Sequence, residues 1–238
     1  MPCAFLDADA KACYDRIVHR LSEVEVRKWG VTHKSAAFTT KFLQQQQFHL
    51  RTVHGISKDY YSYNEAHPIQ GSGQGIGWAG PRWTATSDAI SDIMADKYTG
   101  MLFQDPAKHI KVKRNGDLFV DDLDIGVTQS AIQDPTKTPM QCLQEDEQVH
   151  ALLLNSTGHG LNPLKCSFYY VDYKREDLGH VQLSKDELPG EINVKVSFNS
   201  TPEKIKRLET NEPHKTLGIH PTVSGNRNPQ LEVLRKKI

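Results

Sequence analysis

Apolar positions open the chain as a short run, CAFLD at residues 3–7, which predicts a buried strand almost at the first residue. A helix is expected from about 13 to 19. A second is expected from about 35 to 52, where Phe38, Phe42, Leu43 and Leu50 form a helical stripe. Residues 53–82 are rich in Gly, Tyr and Ser, contain HPIQGSGQGIGWAGP, and read as loop. Trp83, Ile90, Ile93, Met94 and Lys97 recur at three to four and predict a helix over about 82–98. Ile110 and Val112 alternate with lysines as in a strand, and Asn115-Gly116 is a tight-turn signal. Residues 129–140 carry two prolines and read as loop.

Leu143, Val149, Leu152 and Leu153 predict a helix over 141–156, closed by Gly158 as a cap. Two strands are expected after it: KCSFYYVDY at 165–173, and EINVKVSF at 191–198, where Ile192, Val194, Val196 and Phe198 alternate with polar residues. A short charged segment follows Pro202, then TLGI at 216–219 and a polar tail. This order of elements predicts an α+β fold, an antiparallel sheet with helices packed on one face.

Composition narrows the picture only a little. A chain of 238 residues is long enough for a sizeable core. Lys+Arg and Asp+Glu each number 29, so no overall basic field advertises nucleic acid, although a neutral total can hide a basic groove beside an acidic site. Cys3, Cys13, Cys142 and Cys166 lie far apart without a CxxC, which signals neither a zinc site nor a disulfide framework and fits reduced thiols inside a cell. The start is too poor in apolar residues for a signal peptide, and no run approaches the roughly 18 apolar residues of a membrane helix. An intracellular protein without a membrane partner is expected, with nucleus and cytoplasm both open.

The stretch LFVDDLDI, residues 118–125, sets two adjacent acids between apolar flanks. A solvated turn and a metal site both account for Asp121 and Asp122. The flanks favour the end of a buried strand. The first predicted strand ends in Leu6-Asp7-Ala8-Asp9, which supplies further carboxylates. Hard divalent cations take such oxygen ligands, and adjacent acids repel one another until a cation neutralises them. Asp7 shares a face with Asp9 by alternation, and Asp124 shares one with Asp122; neither is taken as a primary ligand. Asp15 suits a helix start.

Five stretches in order then resemble the palm of reverse transcriptases. DADAKACYD resembles the first catalytic motif through Asp9, Cys13, Tyr14 and Asp15; GSGQGIGWAGPRW resembles the Gln-Gly loop through Gln74, Gly75 and Gly80-Pro81; FVDD resembles the aromatic-x-Asp-Asp hairpin. TGHGLNPLKC resembles the later segment with a lysine, here Lys165, and KTLGI (215–219) resembles the Leu-Gly hairpin next to the thumb. The motifs span about residues 5–220, and the likeness is to retrotransposon enzymes of eukaryotes.

The resemblance implies a palm over residues 1–200, then a palm–thumb junction and tail over 201–238. It implies RNA-directed DNA polymerase activity, with Asp9, Asp121 and Asp122 both catalytic and ligands of two Mg²⁺ ions, or Mn²⁺ in their place. Tyr14, Gln74, Gly75 and Lys165 would bind the nucleotide, with Tyr14 beneath the incoming sugar. Core packing for Tyr14, a plain turn for Gln74-Gly75 and a solvated strand end for Lys165 are the structural alternatives. The implied partners are deoxynucleoside triphosphates and an RNA or DNA template with primer.

The likeness departs from the family in three places. The first motif begins at residue 5, so the fingers are expected to be missing; the Gln-Gly loop has one residue too many before its Gly-Pro; and little length remains for a thumb. Missing sequence would supply those domains or other retroelement parts. A non-catalytic nucleic-acid-binding remnant is the alternative function. A metal-dependent nuclease shares the acids but has no use for the Gln-Gly loop or Tyr14.

Overall fold

The computed structural model describes the chain apart from residues 67, 74, 106, 108, 176–180, 185–187, 216–218, 220 and 237–238. The elements run β1 (Pro2–Asp9), a 3-10 turn (Tyr14–Arg16), α1 (His19–Lys28), α2 (His33–Gln44), β2 (Gln47–Thr52), β3 (Gly55–Ser62) and α3 (Ala79–Lys97). Next come β4 (Met101–Gln104), β5 (Lys111–Arg114), β6 (Gly116–Phe119), β7 (Asp122–Thr128), a 3-10 turn (Gln129–Ala131) and α4 (Pro139–Ser156). The chain closes with β8 (Ser167–Arg175), β9 (Val181–Leu183), β10 (Asn193–Val194), β11 (Glu203–Lys204), β12 (Lys206–Arg207) and α5 (Asn228–Arg235). The result is the expected mixture of helices and sheet. Of KTLGI, Thr216, Leu217 and Gly218 lie outside the described residues.

The chain divides into two compact units. The first comprises Met1–Lys11, Met94–Asn155 and Gly160–Ile238. Its six-stranded sheet runs β12-β8-β1-β7-β6, with β9 on β8. The sheet is mixed: the β12–β8 pairing is parallel, where a purely antiparallel sheet was expected. Strand alternation sorts β1 cleanly. Ala4, Leu6 and Ala8 are buried, opposite the buried Val127, Ile125 and Leu123 of β7; the two alanines each face a larger residue. Phe5, Asp7 and Asp9 take the other face, as period two requires. On α4, Leu143, Glu147, Ala151 and Leu154 form the buried stripe at helical spacing.

Four local expectations fail for identifiable reasons. The strand predicted over 191–198 shrinks to Asn193–Val194. It pairs with the two-residue β11, Asn193 opposite Lys204 and Val194 opposite Glu203, and side-chain amides of α4 take up the backbone on its other edge. Gln144 accepts from Asn193 N–H (2.7 Å) and donates to its carbonyl (2.8 Å), and Gln148 does the same at Lys195 (2.9 and 3.0 Å). The helix expected to reach residue 52 stops at Gln44, because Gln47–Thr52 pairs with Gly55–Ser62, inside the supposed loop. The helix expected over 13–19 is only a 3-10 turn, with the true helix at 19–28. Asn115-Gly116 joins strands that pair elsewhere, β5 with β4 and β6 with β7, so the hairpin turn falls at Val120-Asp121 instead.

The second unit, Ala12–Ile93 with Ser156–His159, is organised by a buried cation. Arg82, at the start of α3, is 2% exposed. Its guanidinium donates to Ser22 Oγ of α1 (2.6 Å) and to Thr39 and Thr40 Oγ1 of α2 (2.8 and 3.0 Å). Burial holds its pKa below the ordinary arginine value, against the charge of Glu23. The planar fork suits this three-helix contact because its donors are fixed in direction. Arg82→Leu should destabilise the protein by about 3 kcal/mol, since it removes the charged donors that tie Ser22 of α1 and Thr39 and Thr40 of α2 to α3. Chemical denaturation monitored by circular dichroism checks this, and a loss below about 1 kcal/mol would contradict the role given to Arg82.

Candidate active site

The first unit brings the predicted acids together through strand register. In the antiparallel β1–β7 pair, Asp9 stands directly opposite Asp122, and Asp7 opposite Asp124. Directly opposed residues share a face and lie about 5 Å apart at Cβ, where like charges destabilise the pair. Asp117 of β6 extends the second row, opposite Asp124. One face of the sheet therefore carries a block of carboxylates. Burial first, then Asp121, Asp7 and Asp9, push the Asp122 carboxyl above its usual range, while Lys165 alone opposes them. The Asp124 carboxyl is pushed up to about 6, by desolvation and then by Asp7.

Asp121 sits in a two-residue turn between Phe119 and Asp122, which are paired. Val120 has φ +59°. A hairpin turn with φ positive only at its first central residue is of the II′ kind, which normally places Gly there. A β-branched residue in that conformation is strained.

Two side chains from the 160–166 segment hold Asp9. Asn162 Nδ2 donates to Oδ1 (3.3 Å), and Lys165 Nζ donates to Oδ2 (3.1 Å). Asn162 N–H also donates to the Asp9 carbonyl (2.9 Å), which docks the segment along the strand end. Behind it, the buried Cys166 thiol accepts from Asp9 N–H (3.4 Å) and donates to the Asn162 carbonyl (3.3 Å). Asp7 is paired with His214, whose Nδ1 shares a hydrogen bond with Ser167 Oγ (2.8 Å). A cleft of about 340 Å³ lies over these groups, lined by Asp7, Asp9 and Asp122 and by Lys165, Lys206 and Lys215.

Among the described residues, no three His, Cys, Asp or Glu side chains are gathered as a ready metal-binding group. The donors nevertheless suit a hard divalent cation. Asp9, Asp121 and Asp122 offer carboxylate oxygens, their mutual repulsion favours a bound positive charge, and the Lys165 ammonium stands on Asp9 as a cation would.

Tyr14 and Gly75 belong to the second unit, where the Gly-rich loop is pinned to the turn carrying Tyr14. Ser72 N–H donates to the Tyr14 carbonyl (2.8 Å), and Gly71 N–H donates to that of Ile17 (2.8 Å). Gly71, at φ +86°, lies so close to Asp15 that a Cβ would collide with its backbone. Gly75 has φ +92°. Gln74 lies outside the described residues.

Sequence reasoning missed His214 and Asn162. Nothing in the one-dimensional pattern places His214 beside Asp7. Asn162 stands in TGHGLNPLKC, where only the lysine drew attention. No protein-family model matches the chain, and no curated protein matches it.

Two outcomes are expected. Val120→Gly relieves about 1–2 kcal/mol of left-handed strain and costs about 0.5–1 kcal/mol in chain entropy. Thermal unfolding should therefore show a small net stabilisation, and a lower midpoint would refute the strain. The second concerns pH. The hydrogen bond to Asp7, above all, raises the His214 pKa from 6.5 despite burial. Its stabilisation is full below 6.5 and is lost as pH rises through the raised value. The unfolding temperature should thus fall as pH climbs from 6.5, and His214→Gln should flatten that fall; an unchanged slope would show that the pair does not matter.

Proposed function

We propose that the chain is the palm of an RNA-directed DNA polymerase of retroelement type, extending a primer 3′-hydroxyl with deoxynucleotides. The observation that carries this reading is the β1–β7 register, which opposes Asp9 to Asp122 with Asp121 in the adjoining turn. Asp9, Asp121 and Asp122 would hold the two Mg²⁺ ions, which when bound lower the pKa of the attacking hydroxyl and neutralise charge on the triphosphate.

The remaining work falls to the chain itself. The β1–β7 ladder fixes the spacing of Asp9 and Asp122, and the strained turn holds Asp121 beside them. Asn162 keeps one oxygen of Asp9 in place. Lys165, Lys206 and Lys215 give the same cleft positive charge for the phosphates of an incoming nucleotide. In the second unit, Tyr14 keeps only the sugar-contacting role that the resemblance implies, on a turn pinned to the Gly-rich loop. A second reading, a non-catalytic nucleic-acid-binding remnant, draws support from Lys165, which occupies an Asp9 oxygen that a metal would need.

Primer extension on an RNA template with Mg²⁺ tests the proposal. The protein should incorporate deoxynucleotides, and Asp121→Asn should lower the rate by about 10²–10³, the usual effect of losing one transition-state charge stabiliser. Metal-dependent extension that survives the substitution would sink the assignment, and binding of primer–template without any incorporation would favour the remnant.

A further inference from the structure

Between Glu25 and Asp59 the sequence carries Arg27, Lys28, Lys34, Lys41, Arg51 and Lys58 and not one acid, with His33, His49 and His54 interspersed. In a chain whose charges cancel, this is a pronounced segregation. The stretch lies within the second unit and forms the end of α1, all of α2 and the β2–β3 hairpin. All of its Lys and Arg residues are exposed, and among the described residues Lys28 alone is in an ion pair, with Glu25.

The same unit also displays rings. Trp29, Phe38 and Phe42 are exposed on and before α2, and Tyr60 and Tyr61 on β3. In the hairpin, Phe48 stacks on Tyr61 across the strands, with centroids 5.0 Å apart and planes 17° apart. His49 faces Tyr60 at 5.5 Å. Nearly every residue of the hairpin is exposed, so neither face is covered by the rest of the chain. A lone two-stranded hairpin is at best marginally stable in water. The cross-strand ring pairs hold this one together while leaving ring faces free.

Exposed cations around solvent-facing aromatic rings match a polyanion that also offers flat apolar faces. We infer that α2 and the β2–β3 hairpin form a binding surface for single-stranded nucleic acid. The lysines and Arg51 meet the phosphates, and the Tyr61 ring, on the hairpin face that also carries Phe48, meets the bases; Tyr60 lies on the opposite face by alternation. Stacking of this kind is sequence-tolerant, because every base has a π-face. A duplex hides those faces, so single strands are preferred. The choice of nucleic acid among polyanions rests on the polymerase reading; the charge and ring distribution does not.

Fluorescence anisotropy of the full chain with labelled oligothymidylate and oligouridylate tests the inference, using strands about 20 nucleotides long to exceed a typical single-strand site. Replacing Lys34, Lys41, Arg51 and Lys58 together by Gln should weaken binding at least about tenfold at low salt. It should also flatten the salt dependence by about 0.7 per lost phosphate contact. Tyr61→Ala should weaken binding about fivefold or more with the salt slope unchanged. Wild-type affinity in the folded Gln variant would overturn the proposal, as would tighter binding to duplex DNA or to phosphatidylserine vesicles. Asp121→Asn separates the two readings, because it should leave oligonucleotide binding intact. Binding without primer extension keeps the surface and removes the polymerase. Extension with binding unaffected by the Gln variant does the reverse.

Discussion

The register between β1 and β7 is the constraint on which the rest of the candidate site depends. It satisfies two opposed demands at once. On one face it sets Ala4, Leu6 and Ala8 against Val127, Ile125 and Leu123, all buried, and so builds the core of the sheet. On the other face the same pairing forces Asp7 against Asp124 and Asp9 against Asp122. A slip of one residue would relieve the acids but would turn the apolar row outward. The core therefore holds the carboxylates in opposition, and the surrounding cations answer that repulsion. Lys165 meets Asp9, and His214 meets Asp7.

Those cations come from segments far away in sequence, which explains what could be read in advance. Alternation in CAFLD is a local signal, and it pointed to the strand that carries Asp9. The flanks Leu118, Phe119 and Val120 marked a strand end as expected, but they are exposed rather than buried, at 43, 58 and 39%. Helical spacing through Trp83, Ile90 and Met94 likewise predicted α3. The opposition of Asp9 and Asp122 was less accessible, since register is a tertiary property. His214 and Asn162 were invisible for the same reason: their partners lie across the fold.

The failures have a common physical cause as well. EINVKVSF has strand-like alternation, but its partner β11 is only two residues long, and Gln144 and Gln148 of α4 bond its other edge with side-chain amides in place of a second strand. Gln44 to Gln47 gave no periodic signal, so the boundary between α2 and β2 was lost and the helix was extended too far. The Asn115-Gly116 turn signal was genuine turn chemistry in the wrong place. The hairpin instead turns at Val120-Asp121, a pair with poor turn propensity. Val120 nevertheless takes a positive φ in that turn, a conformation that a β-branched residue adopts only under strain.

A net charge of zero argued weakly against nucleic acid when taken as a property of the whole chain. The total says nothing of how the charges are distributed between the two compact units. The acids of the sheet face form one dense local field, and the acid-free stretch from Val26 to Lys58 forms another of opposite sign in a different compact unit. Salt screens exposed charges beyond about 10 Å, so each unit is better described by its own nearby charges than by the sum. In the first unit these are acids with interposed lysines in the sheet cleft. In the second they are exposed lysines and Arg51 on α2 and the hairpin. Charge balance over the sequence is thus compatible with uneven local charge. The sum therefore carries no argument for or against a charged ligand.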